Sequence, residues 1–139
     1  MQTFLPYCSF VLSARCLDYR RLGKQRVETW QILQCIEGVS TLSWRNHPAV
    51  RMWRNHPLSL AWYGYTVCGE WINRGYVDNM QPRFISYIRK EVKRVDSPDW
   101  LFDNRLCVSH REALLMKDYT WYSKFNWTET PKLAYYWPV

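Results

Sequence analysis

Apolar residues along this chain recur mainly at three- and four-residue intervals, and no segment alternates apolar and polar residues as a sheet-forming strand does. After an extended start from Met1 to Tyr7, Ser9 or Ser13 is placed to cap a first helical turn containing Val11, Leu12 and Leu17. Gly23 is expected to interrupt or bend the pattern. It resumes from Val27 with Trp30, Leu33 and Ile36 at helical spacing and Ile32 beside them, and Gly38 is placed to end that run.

The five letters Trp-Arg-Asn-His-Pro occur at Trp44 to Pro48 and again at Trp53 to Pro57. Each Pro suits the first position of a helix, which predicts a short helix from Pro48 and a longer one from Pro57 to about Arg74, with Asn73, Arg74 and Gly75 as its end. A further helix is expected near Pro82, with Phe84, Ile85, Ile88 and Val92 inward and Arg89, Lys90, Lys93 and Arg94 outward. Ser97 to Asn104 has the composition of a loop, and Ser109 with Glu112 forms a candidate capping box for a helix through Lys117. The aromatic tail from Tyr119 to Trp137 has no clear period, although Leu133 to Trp137 suits an extended run along the body. The expectation is an all-α, compact helical bundle with an irregular aromatic-rich tail, one domain over residues 1–139.

Composition sharpens this picture. With 47% apolar residues there is ample core material, and 17% aromatics, including 9 Trp and 10 Tyr, exceed what a core of this size needs. Some rings are therefore expected in a groove, where they stack on bases or meet a protein partner. Nineteen Lys and Arg against twelve Asp and Glu give +7, which favours a polyanion; the cations are mostly Arg interleaved with aromatics, a mixture that leans toward nucleic acid. Five cysteines without paired spacing point to reduced thiols, and no window reaches the length of a membrane span, so a cytoplasmic protein without membrane contact is expected.

Arg20, Arg21, Lys24 and Arg26 place four cations within seven residues, either a phosphate-binding set or a solvated helix face. Glu28 shares a face with Lys24, as a surface ion pair or as a carboxylate held among cations for proton transfer during glycosidic cleavage. Arg45, Asn46, His47 and Arg51 suit phosphate or base-edge contacts, with His56 and Arg54 in the second copy of the repeat. His47, His56 and His110 show no ligand spacing, so neither metal nor cofactor is expected. Near the C-terminus Trp121, Tyr122 and Lys124 form an aromatic and basic cluster suited to gripping a splayed nucleotide or to packing on the first helix.

Several of these segments resemble the small phage-type pyrimidine-dimer DNA glycosylases. Tyr19-Arg20-Arg21-Leu22 is similar to the family's Tyr-Arg-Glu-Leu, Arg26-Val27 to its Arg-Val, Asn73-Arg74-Gly75-Tyr76 to its Lys-Arg-Gly-Phe, and Thr120-Trp121-Tyr122 to its Thr-Trp-Tyr. Leu22 to Glu28 and Trp44 to Trp53 look closer to an uncharacterised bacterial and phage subgroup. The resemblance implies a basic, helical DNA glycosylase with AP lyase activity, in which a free N-terminal α-amine attacks the sugar C1′ and a nearby Glu assists. An α-amine suits this because its ordinary pKa, about 7.7 to 8.0, leaves a neutral fraction at physiological pH.

Two positions depart from that pattern. Arg21 stands where the family has its Glu, so Glu28, or less favourably Asp18, would replace it. The bulky Gln2 hinders removal of Met1, which makes the Met1 amine the candidate nucleophile. The leading expectation is thus a monomeric glycosylase acting on damaged or modified duplex DNA. The rivals are a non-catalytic DNA binder or host-enzyme inhibitor on the same scaffold, and an enzyme acting on a free nucleotide or nucleoside.

Overall fold

A computed structural model describes residues 1–39, 42–91 and 96–139. Ser9 opens the first helix, α1 (Phe10–Cys16), by accepting the Leu12 N–H at 3.1 Å. Ser13, the other candidate cap, lies buried inside α1 and instead ties down the preceding turn, donating to the Tyr7 carbonyl at 3.0 Å. The second helix, α2 (Tyr19–Ile36), runs through Gly23 without a break, which corrects the expected interruption. Gly23 is there because the Trp71 ring lies on it: a Cβ would stand 3.1 Å from that ring. α2 ends as anticipated, with Gly38 at φ 74 and the Val39 N–H returning to the Gln34 carbonyl at 3.0 Å.

The repeated pentapeptide starts two helices, α3 (Pro48–Trp53) and α4 (Pro57–Asn73), each with Pro in its first turn. Identical letters nevertheless meet different surroundings. Trp44 is 44% exposed whereas Trp53 is fully buried. His47 caps α3 itself, its Nδ1 accepting the Ala49 N–H at 3.0 Å. α4 is capped from far along the chain by Asp96, which accepts the N–H groups of Leu58 and Ser59 at 2.6 and 3.1 Å and holds His56 Nδ1 at 3.0 Å.

α5 (Gln81–Lys90) starts on Asp78, whose carboxylate accepts the Met80 and Gln81 N–H groups, and seats Phe84 on Gly64 of α4. Of the residues expected inward, Phe84 is buried and Ile85 and Ile88 are half-buried; Val92, Lys93 and Arg94 lie outside the described residues. The Ser97 to Asn104 segment contains a 3-10 turn, Asp99–Phe102, and then begins α6 (Asn104–Lys117). The expected Ser109 and Glu112 capping box does not form. Asp103 caps the helix by accepting the Arg105 N–H at 3.0 Å, and Ser109, inside α6, donates to the Leu106 carbonyl.

A short α7 (Tyr119–Tyr122), capped by Asp118, and a 3-10 turn, Ser123–Phe125, lead into the aromatic tail. The tail lies along α6, with the Lys132 N–H on the Glu112 carbonyl and the Tyr136 N–H on Ser109 Oγ. The chain is 64% helical with no strand among the described residues, so it is all-α. α2 and α4 pack side by side as its centre, around a core containing Leu22, Trp53, Tyr63, Phe84 and Tyr122. The five cysteines are free thiols, four of them buried. Among the described residues no helix is long and apolar enough to cross a membrane.

Candidate active site

The most polar segment of the core is the N-terminal one. Residues 2–6 are buried, and as an extended stretch they need partners for every backbone group. Those partners come from three helices, and a fourth holds the Thr3 side chain. Gln25 of α2 accepts the Phe4 N–H at 2.9 Å and donates to the Gln2 carbonyl at 2.7 Å. Tyr63 of α4 donates to the Phe4 carbonyl at 2.8 Å, and Trp53 of α3 donates its ring N–H to Thr3 Oγ1 at 2.9 Å. From α6, His110 Nδ1 accepts the Leu5 N–H at 2.8 Å and Arg111 donates to the Pro6 carbonyl at 2.8 Å. Bonds of this number fix where the segment can emerge.

It emerges in a cleft of about 530 Å³ bordered by Met1, with Arg20, Arg21, Lys24 and Glu28 on the α2 side. Glu28 Oε2 accepts the Gln2 N–H at 3.2 Å, so the carboxylate is tied to the amide next to Met1. The sequence places Arg21, Gln25 and Glu28 on one helical face, and the structure brings that face into the cleft. Further lining residues went unnoticed in the sequence, among them Gln25, which the same spacing would have revealed, and Lys117, Asp118 and Tyr135, which arrive from the end of α6 and the tail without a local signal.

Arg21 pairs with Asp18 at 3.2 Å, and Asp18 also accepts from the Tyr122 hydroxyl. Burial pushes Asp18 toward the neutral acid; the Tyr122 hydroxyl and the Arg21 guanidinium outweigh it and hold the carboxyl below the usual carboxylate range. Tyr122 is itself fully buried and acts here as a support behind Asp18. Burial also pushes His47 down, aided by the positive Met1 α-amine and opposed by Glu28, which places the imidazole within electrostatic reach of both groups. Burial raises Tyr135, with Arg21 lowering it and Glu28 raising it further.

The remaining candidates are dispersed. Arg26 leaves the cleft face: it pairs with Asp78 at 2.5 Å and lies 4.6 Å over the Trp71 ring. Arg45 and Asn46 are exposed in the turn before His47, and Arg51 is exposed on α3; none of the three lines the cleft. Trp121 donates its ring N–H to the Cys16 carbonyl at 2.8 Å and carries Lys124 Nζ 3.1 Å above its ring. Among the described residues no group of three His, Cys, Asp or Glu side chains is arranged to hold a metal ion.

The cleft thus combines Met1, three acidic side chains, Asp18, Glu28 and Asp118, and four cations, Arg20, Arg21, Lys24 and Lys117. Such a site can bind a phosphate backbone, attack an electrophilic carbon with nitrogen and move a proton locally. A family model described as pyrimidine dimer DNA glycosylase matches residues 1–83, the stretch that carries α1 to α4 and with them Met1, Arg20, Arg21, Lys24 and Glu28. No curated protein and no solved structure matches the chain.

Proposed function

The chain belongs to the pyrimidine dimer DNA glycosylase family, and on that premise we propose that it removes damaged or modified pyrimidines from duplex DNA with the Met1 α-amine as nucleophile and Glu28 as acid and base. The observation that carries the reading is the hydrogen bond from Gln2 N–H to Glu28 at 3.2 Å, inside a cleft that also holds Arg20, Arg21, Lys24 and Lys117. An isolated carboxylate among cations is a common surface feature; one bonded to the residue next to the terminal amine is suited to exchanging protons with that amine.

The neutral amine attacks C1′ of the target nucleotide and the C1′–N glycosidic bond breaks. Glu28 takes a proton from the attacking nitrogen and passes it to the departing base. A second proton, relayed through Glu28 from water, goes to O4′ as the ring opens and the protonated imine forms. Loss of a C2′ proton then expels the 3′ phosphate by β-elimination, which is the lyase step. Arg20, Arg21 and Lys24 hold the flanking phosphates, and Lys117 closes the cleft from the other side. Expelling a nucleotide into the cleft costs a few kcal/mol of lost stacking, least where the base is already damaged, which is one source of selectivity.

The test is incubation with ultraviolet-irradiated and untreated duplex DNA in the presence of borohydride, which reduces an imine to a stable amine. The expected result is a covalent adduct with irradiated DNA only, mapped by peptide mass to Met1. Retained DNA binding with neither adduct nor base release would replace the enzyme by a non-catalytic binder.

A further inference from the structure

The cleft occupies one side of α2, and the other side carries an aromatic cluster that the chemistry above leaves unused. Tyr19 stacks against Trp71 with ring centroids 5.7 Å apart and planes 19° apart, and Trp71 stacks on Tyr76 at 4.3 Å and 28°. Tyr19 and Tyr76 complete the triangle at 5.4 Å.

Trp71 is fixed from every direction. Its ring rests on Gly23, its N–H donates to the Val77 carbonyl at 2.9 Å, and Arg26 lies over it. Packing accounts for Trp71, yet it leaves Tyr19 and Tyr76 55% and 40% exposed, stacked in water beside a Val77 that is 93% exposed. Such a patch marks a contact surface.

Charge indicates the kind of partner. The carboxylates beside these rings in the chain are already paired, Asp18 with Arg21, Glu70 with Arg74 and Asp78 with Arg26. Arg20 and Lys24 are exposed and have no ion pair among the described residues. Helical periodicity puts Tyr19 and Gly23 on one side of α2 and Arg21, Gln25 and Glu28 on the other, with Arg20 and Lys24 on the exposed stripe between them. A helix with side chains is roughly 10–12 Å across, about three phosphate spacings of a DNA strand.

We propose that the Tyr19, Trp71 and Tyr76 stack is a second nucleic-acid contact, on which an unpaired base stacks while the phosphates between it and the cleft lie on Arg20 and Lys24. Exposed aromatic faces take bases without regard to sequence, and the neighbouring uncompensated cations favour a polyanion over a protein surface. The inference rests on the reading that the cleft receives the target nucleotide. It supplies what that reading lacks, a contact for DNA outside the reacting residue.

The test uses the full chain carrying Glu28→Gln, so that binding is read without turnover. One probe is a duplex with a stable abasic-site analogue and an unpaired 2-aminopurine roughly three positions away; the other is the same duplex fully paired. The parent should bind the unpaired probe more tightly and quench its fluorescence by stacking. Replacing both tyrosines, Tyr19→Ala with Tyr76→Ala, should reduce that preference roughly 5- to 150-fold and restore fluorescence, whereas the Phe pair should retain both. Tyr19→Ser alone, at the exposed first position of α2, tests the same loss if the double variant does not fold. No preference in the parent, or equal loss on the two probes, overturns the platform; unchanged DNA affinities would assign the patch to a protein partner. None of these outcomes depends on imine trapping, so failure of the platform and failure of the glycosylase reading are told apart.

Discussion

Replacing Gln25 by Met removes the clamp on the N-terminal segment while keeping a flexible side chain of similar length in place. Gln25 is 1% exposed; it accepts from the Phe4 N–H, donates to the Gln2 carbonyl, and shares the single Tyr63 hydroxyl proton with the Phe4 carbonyl. Tyr63 keeps its bond to the Phe4 carbonyl, so the substitution orphans one buried N–H and one buried C=O. Each orphan costs about 1–3 kcal/mol, and the Met leaves little cavity to add. The expected loss is about 2–6 kcal/mol, a large share of the 5–15 kcal/mol typical of a folded protein.

With a urea slope of about 2 kcal/mol/M, that loss moves the unfolding midpoint by roughly 1–3 M. A second effect follows from geometry. Met1 reaches the cleft only because residues 2–5 are held, and a slackened segment lets the amine wander from C1′. Imine trapping should therefore slow by a further factor of about 10–100, even at urea-free conditions where the variant is folded. Urea unfolding followed by circular dichroism gives the first number, and single-turnover borohydride trapping gives the second. A variant with the parental midpoint and the parental trapping rate refutes the argument that Gln25 positions the nucleophile.

Glu28→Gln should lower the glycosylase rate at least about 100-fold while DNA affinity changes little; equal losses in rate and affinity would make Glu28 a binding residue. Gly64→Ala should destabilise by about 3 kcal/mol, because its Cβ would stand 2.3 Å from the fully buried Phe84 ring, and an unshifted denaturation midpoint would show that α4 and α5 part easily. Burial pushes His110 down to about 3, so the native state refuses a proton that the unfolded chain takes up below about 6.5. The neutral imidazole's contribution is thus present above that pH and is lost as pH falls toward 3; stability measured from pH 7 to 4 should fall less steeply in His110→Gln.

The helical class was legible because α2 and α4 carry long apolar stripes, and because Pro48 and Pro57 announce the starts of α3 and α4. What the sequence hid were the contacts that decide a local choice from a distance. Gly23 reads as a breaker because a glycine in mid-helix costs about 1 kcal/mol relative to Ala, yet Trp71, far along the chain, needs the missing Cβ. Ser109 and Glu112 satisfy the capping pattern, but Asp103 opens the helix earlier and converts Ser109 into an interior residue that holds the tail. The two Trp-Arg-Asn-His-Pro copies are indistinguishable by letter, and only the arrival of Asp96 makes the second one different.

At the site, the local face of α2 was readable and the partners brought by the tail were not. The resemblance places a catalytic Glu where this chain has Arg21, and taken alone that substitution argues for a protein that has lost its chemistry. The geometry supports the opposite reading. Glu28 lies two turns further along the same helical face, roughly 10 Å by helical rise, so the cleft retains a carboxylate on the same wall. Arg21 meanwhile has its own acidic partner in Asp18, steadied by Tyr122, and so presents a fixed cation beside the cleft. The Gln2 amide then joins the N-terminal segment to Glu28 at 3.2 Å. Met1, the Glu28 carboxylate and a positioned guanidinium thus all border this one cleft.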